Sequence, residues 1–89
     1  MKAVISVIGK DSVGILAKVS GVCAEHMVNI VDVTQSVLDD MFVMVMLVEI
    51  GGMSCTLPEL SAELGALGRS IGMDIRVMHE DIFNSMHRI

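Results

Sequence analysis

The segment Gly9-Lys10-Asp11-Ser12-Val13-Gly14 has the clearest capacity for chemistry in the chain. It leaves a β-branched run and enters an amphipathic one, so it ends at a helix N-terminus. Free backbone N–H groups there favour an anion, and glycines permit close approach. Its two glycines are five apart, but Ile15 and Leu16 stand where a P-loop needs Lys followed by Ser or Thr. Nucleotide binding is therefore disfavoured, and a small anion is left as the candidate ligand. Gly14 also has a plainer use, letting the helix approach the sheet. Cys23 and His26, three apart on one helix, supply two ligands where a zinc site needs four, so no metal is expected. His79 and His87 have no Ser or Cys at a telling spacing, so no catalytic residue is assigned.

Charge and composition narrow the partners. Six Lys and Arg against eleven Asp and Glu give a net charge of −5, the wrong sign for neutralising phosphates, and Phe42 and Phe83 are the only aromatics. Direct nucleic-acid binding is not expected. The longest apolar run, Met41 to Val48, has eight residues where a spanning helix needs about 20, so no membrane association is expected. Two cysteines, Cys23 and Cys55, are too few for a disulfide framework, and nothing resembles a secretory leader. The expected compartment is the cytoplasm, with reduced thiols. At 89 residues the chain reads as a single domain, with a core over 1–80 and a C-terminal tail over 81–89. Size scaling predicts a folded surface of roughly 5,000 Å². A hydrophobic content of 53% is high for so small a body and points to self-association, as a homodimer or larger.

The elements that must position the loop follow from periodicity. Residues 3–8 read as a strand. Asp11 and Ser12 are good N-caps for a helix whose stripe is Ile15, Leu16, Val19, Val22, Cys23 and Met27, and Asn29 suits a left-handed cap after it. Residues 30–38 alternate, with Val31, Val33 and Val37 opposite Asp32, Thr34 and Ser36. Asp39-Asp40 makes a turn, and 41–50 is a strand apolar on both faces. After Gly51-Gly52, Ser54 or Thr56 can cap a second helix with Pro58 in its first turn and the stripe Leu57, Leu60, Leu64, Leu67 and Ile71. Gly72 ends it, 73–80 is a fourth strand, and the tail can add a short helix.

This order predicts an α+β, ferredoxin-like βαββαβ sandwich. Its four-stranded antiparallel sheet has the order 4-1-3-2, with two helices on one face. The other face lacks a helix, so the strand from Met41 to Val48 needs cover from a neighbouring subunit or the tail. Met41, Met44 and Met46 fit an adaptable interface surface and ordinary core filling equally well.

The run Gly9-Lys10-Asp11-Ser12-Val13-Gly14-Ile15, the helix after it, and Asn29-Ile30 opening the second strand together resemble the ACT domain. This is the βαββαβ small-molecule sensor attached to many amino-acid enzymes and regulators. The likeness runs from residue 1 to about residue 80, includes the Leu38-Asp39 hairpin, and is strongest to stand-alone single-ACT-domain proteins. Those are similar to one half of the glycine cleavage system transcriptional repressor. The resemblance implies a non-catalytic, allosteric regulatory module that pairs with itself. It would bind an amino acid or similar small zwitterion at the interface, between the first loop and the partner's first strand-hairpin edge. It places ligand contacts on Lys10, Asp11, Ser12, Val13, Gly14, Ile15, Asn29 and Ile30. No cofactor is expected.

Elementary chemistry gives several of these residues roles. Backbone N–H groups around Ser12, Val13 and Gly14 suit a carboxylate, Asp11 offers charge to an ammonium, and the Asn29 amide can sort the two ends. A Cβ at Gly14 is expected to push into the cradle. Asp11 as an N-cap and Asn29 as a helix terminator remain open beside these roles. A protein-interaction module with the same fold, using its sheet edge or methionine-rich face without a small ligand, is the alternative. An acylphosphatase-like enzyme would want an Arg fork in the loop, which has Lys10 beside Asp11, while Arg69 and Arg76 lie elsewhere. No enzymatic activity is expected.

Overall fold

The computed structural model describes residues 1–10 and 13–86. Its elements in chain order are β1 (Lys2–Lys10), α1 (Ile15–Glu25), β2 (Asn29–Leu38), β3 (Met41–Glu49), α2 (Leu57–Ile71), β4 (Met73–His79) and α3 (Glu80–Met86). The strands form one antiparallel sheet in the order β2-β3-β1-β4, the arrangement that the element order predicts.

Directly opposed residues share a sheet face, so the register sorts the side chains. Val7 lies opposite Met44 and Ile75, and Ile5 opposite Met46 and Val77. These residues pack with Val19, Cys23, Leu60 and Leu64 into the core between the sheet and the two long helices. Met44 and Met46 are fully buried there, whereas Met41 at the hairpin end is 44% exposed. The methionine cluster is thus split between core and surface.

The other face carries Val4 opposite Leu47 and Met78, Ser6 opposite Val45 and Arg76, and Ile8 opposite Val43 and Asp74. α3 packs on β1 and β4, and Val4 is buried although it lies outside the main core. Beyond that end the face is open, with Ile8 exposed and Val43, Val45 and Leu47 half-buried. The accessible surface is 5470 Å², above the roughly 5,000 Å² expected for this mass. The slab-like extents of 35 × 35 × 19 Å fit a sheet with its two long helices on one side only.

Three local expectations change. α1 begins at Ile15, with Gly14 as its N-cap and no side-chain cap; Asp11 and Ser12 lie outside the described residues. Gly14 has φ 84°, outside the right-handed well, so helical bonding starts only after it, with Lys18 N–H donating to Gly14 C=O at 3.0 Å. The left-handed residue after α1 is Met27 at φ 61°, not Asn29, which already belongs to β2. Val28 N–H donates to Cys23 C=O and Met27 N–H to Ala24 C=O, the two bonds of a Schellman ending. In β2 a bulge between Ile30 and Asp32 leaves Val31 without a partner on β3, while Val33 and Val37 lie opposite Met46 and Phe42. Val31 therefore drops out of the expected stripe.

The second helix keeps to its signals. Thr56 caps α2 through a full capping box with Glu59, Pro58 sits in the first turn, and Gly72 closes it at φ 74°. A Cβ on Gly68 would come within 2.6 Å of the Met73 carbonyl oxygen, so this glycine lets α2 lie against β4.

Candidate functional site

The loop after β1 enters α1 through Gly14. Lys10 is the exposed last residue of β1, Val13 is 97% exposed, and Ile15 is buried beneath the first turn of α1. Gly14 supplies no side-chain cap, and the N–H groups that open an α-helix have no intrahelical partner, which favours an anion at such a position. The expected roles of Asp11 and Ser12 fall outside the described residues. Gly14 has a conformational reason to be glycine. No described atom lies within 4 Å of a Cβ built there, so this glycine is not what lets the helix approach the sheet. Its positive φ is what calls for glycine.

Asn29 and Ile30 are elsewhere. Lys10 pairs with Met41, whereas Asn29 pairs with Glu49, which in turn pairs with Lys2 at the start of β1. The two halves of the expected site are separated by about the length of β1, ~26 Å at the usual rise per residue. Asn29 is exposed and Ile30 packs at the core margin. The strand directions already carry this result: β1 and β2 run parallel, and α1 returns the chain to the starting end before β2 begins. Beside Asn29, the Glu49 carboxylate accepts from the Met1 ammonium and from Gly51 N–H, each at 2.9 Å. These two bonds hold its carboxyl below the ordinary value.

Histidines and cysteines resolve into structural and surface roles. Cys23 is fully buried in the core, and burial pushes its thiol up, so it does not share a surface with His26. His26 instead bonds across to Glu63 on α2, with Glu25 beside both. Sequence reading missed Glu63 because 37 residues separate it from His26 and only the packing of α1 on α2 joins them. His79 Nδ1 accepts from Asp81 N–H at 3.1 Å, fastening the start of α3. His87 lies outside the described residues.

The family model described as the ACT domain matches residues 2–78. The chain belongs to the ACT domain family. An ACT domain is a regulatory small-molecule-binding module found in enzymes and repressors. This one is 46% identical to a UPF0237 protein of Methanopyrus kandleri over 99% of this chain and 98% of that protein. It is 42% identical to a UPF0237 protein of Clostridium acetobutylicum over the whole of both chains. Among solved structures, an ACT domain protein from Streptococcus pneumoniae superposes with a TM-score of 0.81 at 40% identity, covering 93% of each chain. A candidate glycine cleavage system transcriptional repressor shares the fold at 20% identity and a TM-score of 0.72, over 85% of this chain and 43% of that one. This ACT domain is thus a similar fold to about half of that protein. No described helix is long and apolar enough to cross a membrane.

Proposed function

We propose that this ACT domain is a non-catalytic sensor of an amino acid, or a similar small zwitterion, bound between two copies of the chain. The observation that supports this most directly is the separation of Lys10 and Asn29 to opposite ends of one sheet, together with the exposed edge of β2. β2 has ten residues and an unpaired outer edge, a surface that invites another strand. If two β2 edges pair antiparallel about a two-fold axis, the start of one lies beside the end of the other. The end of β2, Leu38, is in register with Met41 and Lys10. Asn29 of the partner subunit then faces the loop formed by Lys10, Asp11, Ser12, Val13, Gly14 and Ile15.

In this arrangement the first turn of α1 holds the carboxylate through backbone N–H groups. Asp11 neutralises the ammonium, and the amide of Asn29 from the partner subunit accepts at one end and donates at the other. Ile15 supports the first turn of α1 from beneath, and Ile30 offers an apolar margin. The sensing domain comprises residues 1–80, followed by the tail 81–89, and the protein works in the cytoplasm with both thiols reduced.

The test is thermal unfolding of the purified protein against the amino acids, with sedimentation to establish its assembly. Ligand at 100 times its Kd adds about 2.7 kcal/mol of stability, an easily read shift. A flat response from a dimeric protein would sink the sensor reading and favour a protein-docking module that uses the open sheet face of Ile8, Val43, Val45 and Leu47. A monomer at micromolar concentration would remove the proposed interface itself.

A further inference from the structure

The most concentrated set of unassigned donors lies where the end of α1 meets α2. Glu25 and His26 close α1, and Glu63 projects from α2. Their ligand atoms, two carboxylate oxygens and one imidazole nitrogen, all lie within 4.8 Å of one another. His26 Nε2 is bonded to Glu63 Oε2. Ser54 N–H donates to the His26 carbonyl at 2.8 Å, tying the end of α1 to the segment before α2. Among the described residues no Lys or Arg pairs with Glu25 or Glu63, so His26 alone faces the two carboxylates.

We propose that Glu25, His26 and Glu63 form a binding site for one divalent transition-metal ion of zinc-like softness. A mixed imidazole and carboxylate set suits zinc, cobalt or nickel better than a hard ion such as magnesium, which prefers oxygen alone. Ligand atoms around a tetrahedral zinc lie about 3.4 Å apart, given metal–ligand bonds of about 2.1 Å. Small rotations of three long side chains bring the donors from their present spacing to that distance. Zinc would take the place of the hydrogen bond between His26 and Glu63, leaving solvent the fourth position. The site is separate from the proposed zwitterion site and does not depend on it.

Calorimetric titration of the full chain with zinc tests this, with circular dichroism to verify each variant's fold. One equivalent binds, excess magnesium does not displace it, and Glu63→Gln and Glu25→Gln each weaken it. The loss should exceed the roughly tenfold that removing even an outer-shell partner costs. Glu63→Gln keeps a hydrogen-bonding partner for His26, so its effect reports on the metal and not on folding. Asp81→Asn, beside His79, leaves binding unchanged. Absence of zinc binding, binding that survives Glu63→Gln, displacement by magnesium, or loss of binding in Cys55→Ser would each overturn the site; the last would assign the ion to the neighbouring thiol.

Discussion

Lys10 and Asn29 stand at opposite ends of the sheet, the first in register with Met41 and the second with Glu49. A ligand that touches both must therefore touch two chains. Variants in the two positions should complement each other. On the proposed arrangement, Gly14→Val and Asn29→Ala should each abolish the ligand shift alone, but a mixed dimer should keep one site with both halves intact. Equal mixing after reassembly should restore about a quarter of the sites. No recovery, with mixed dimers demonstrated by mass, would overturn the shared site.

Gly14 and Gly68 are both required, for different reasons. Gly14→Ala should cost about 1–2 kcal/mol through its positive φ alone, and Gly14→Asn less, because Asn visits that region more readily. Gly68→Ala should cost about 1–3 kcal/mol by forcing α2 away from the Met73 carbonyl and Ile75, with no relief from Asn. Urea unfolding of the ligand-free variants measures all of these. Equal tolerance of Ala and Asn at Gly14 would contradict the conformational account.

The capping box of α2 has a pH signature. Thr56 N–H donates to the Glu59 carboxylate at 2.9 Å, and this bond and that to the Thr56 side chain hold the Glu59 carboxyl below its ordinary value of 4.5. A lowered folded value means that the stabilisation is complete above the unfolded value and is lost as pH falls through the folded one. Glu59→Gln should remove that part of the acid limb of the stability curve. Thr56→Ala should cost about 1 kcal/mol at neutral pH. An unchanged acid limb in Glu59→Gln would show that the bond carries no charge-dependent stability.

The thiols differ in reach. Cys23 is fully buried, whereas Cys55 is half-buried ahead of α2, its thiol raised by desolvation and then by the charges of Glu59 and Glu63. A thiol reagent should modify Cys55 slowly in the native protein and Cys23 only on unfolding. Rapid modification of both without denaturant would show that the core opens locally.

Met27 holds a left-handed conformation while 68% exposed. Met27→Gly should stabilise the protein by about 0.5–1 kcal/mol, since it relieves the Cβ strain and removes little burial. A loss of stability in thermal unfolding would mean that the Met27 side chain packs more usefully than its exposure implies.

The sequence by itself determined the element types, their order and the buried side of most of them. The continuous apolar run of β3, the leucine stripe of α2, the Asp39-Asp40 turn and the Thr56 and Gly72 boundaries are local signals, and local sterics and hydrogen bonds decide them. The ACT pattern was legible for the same reason, since its loop and strand residues lie close together along the chain. Local signals failed where one residue type serves several purposes: Asn29 suited a helix end that Met27 takes, and the β2 bulge displaced Val31. Tertiary structure alone decided that Met44 and Met46 fill the core while Met41 does not, and that His26 meets Glu63 across 37 residues. Those outcomes depend on which helix lies over which strand. That choice is set by the burial of the whole apolar surface, which no short window of residues contains.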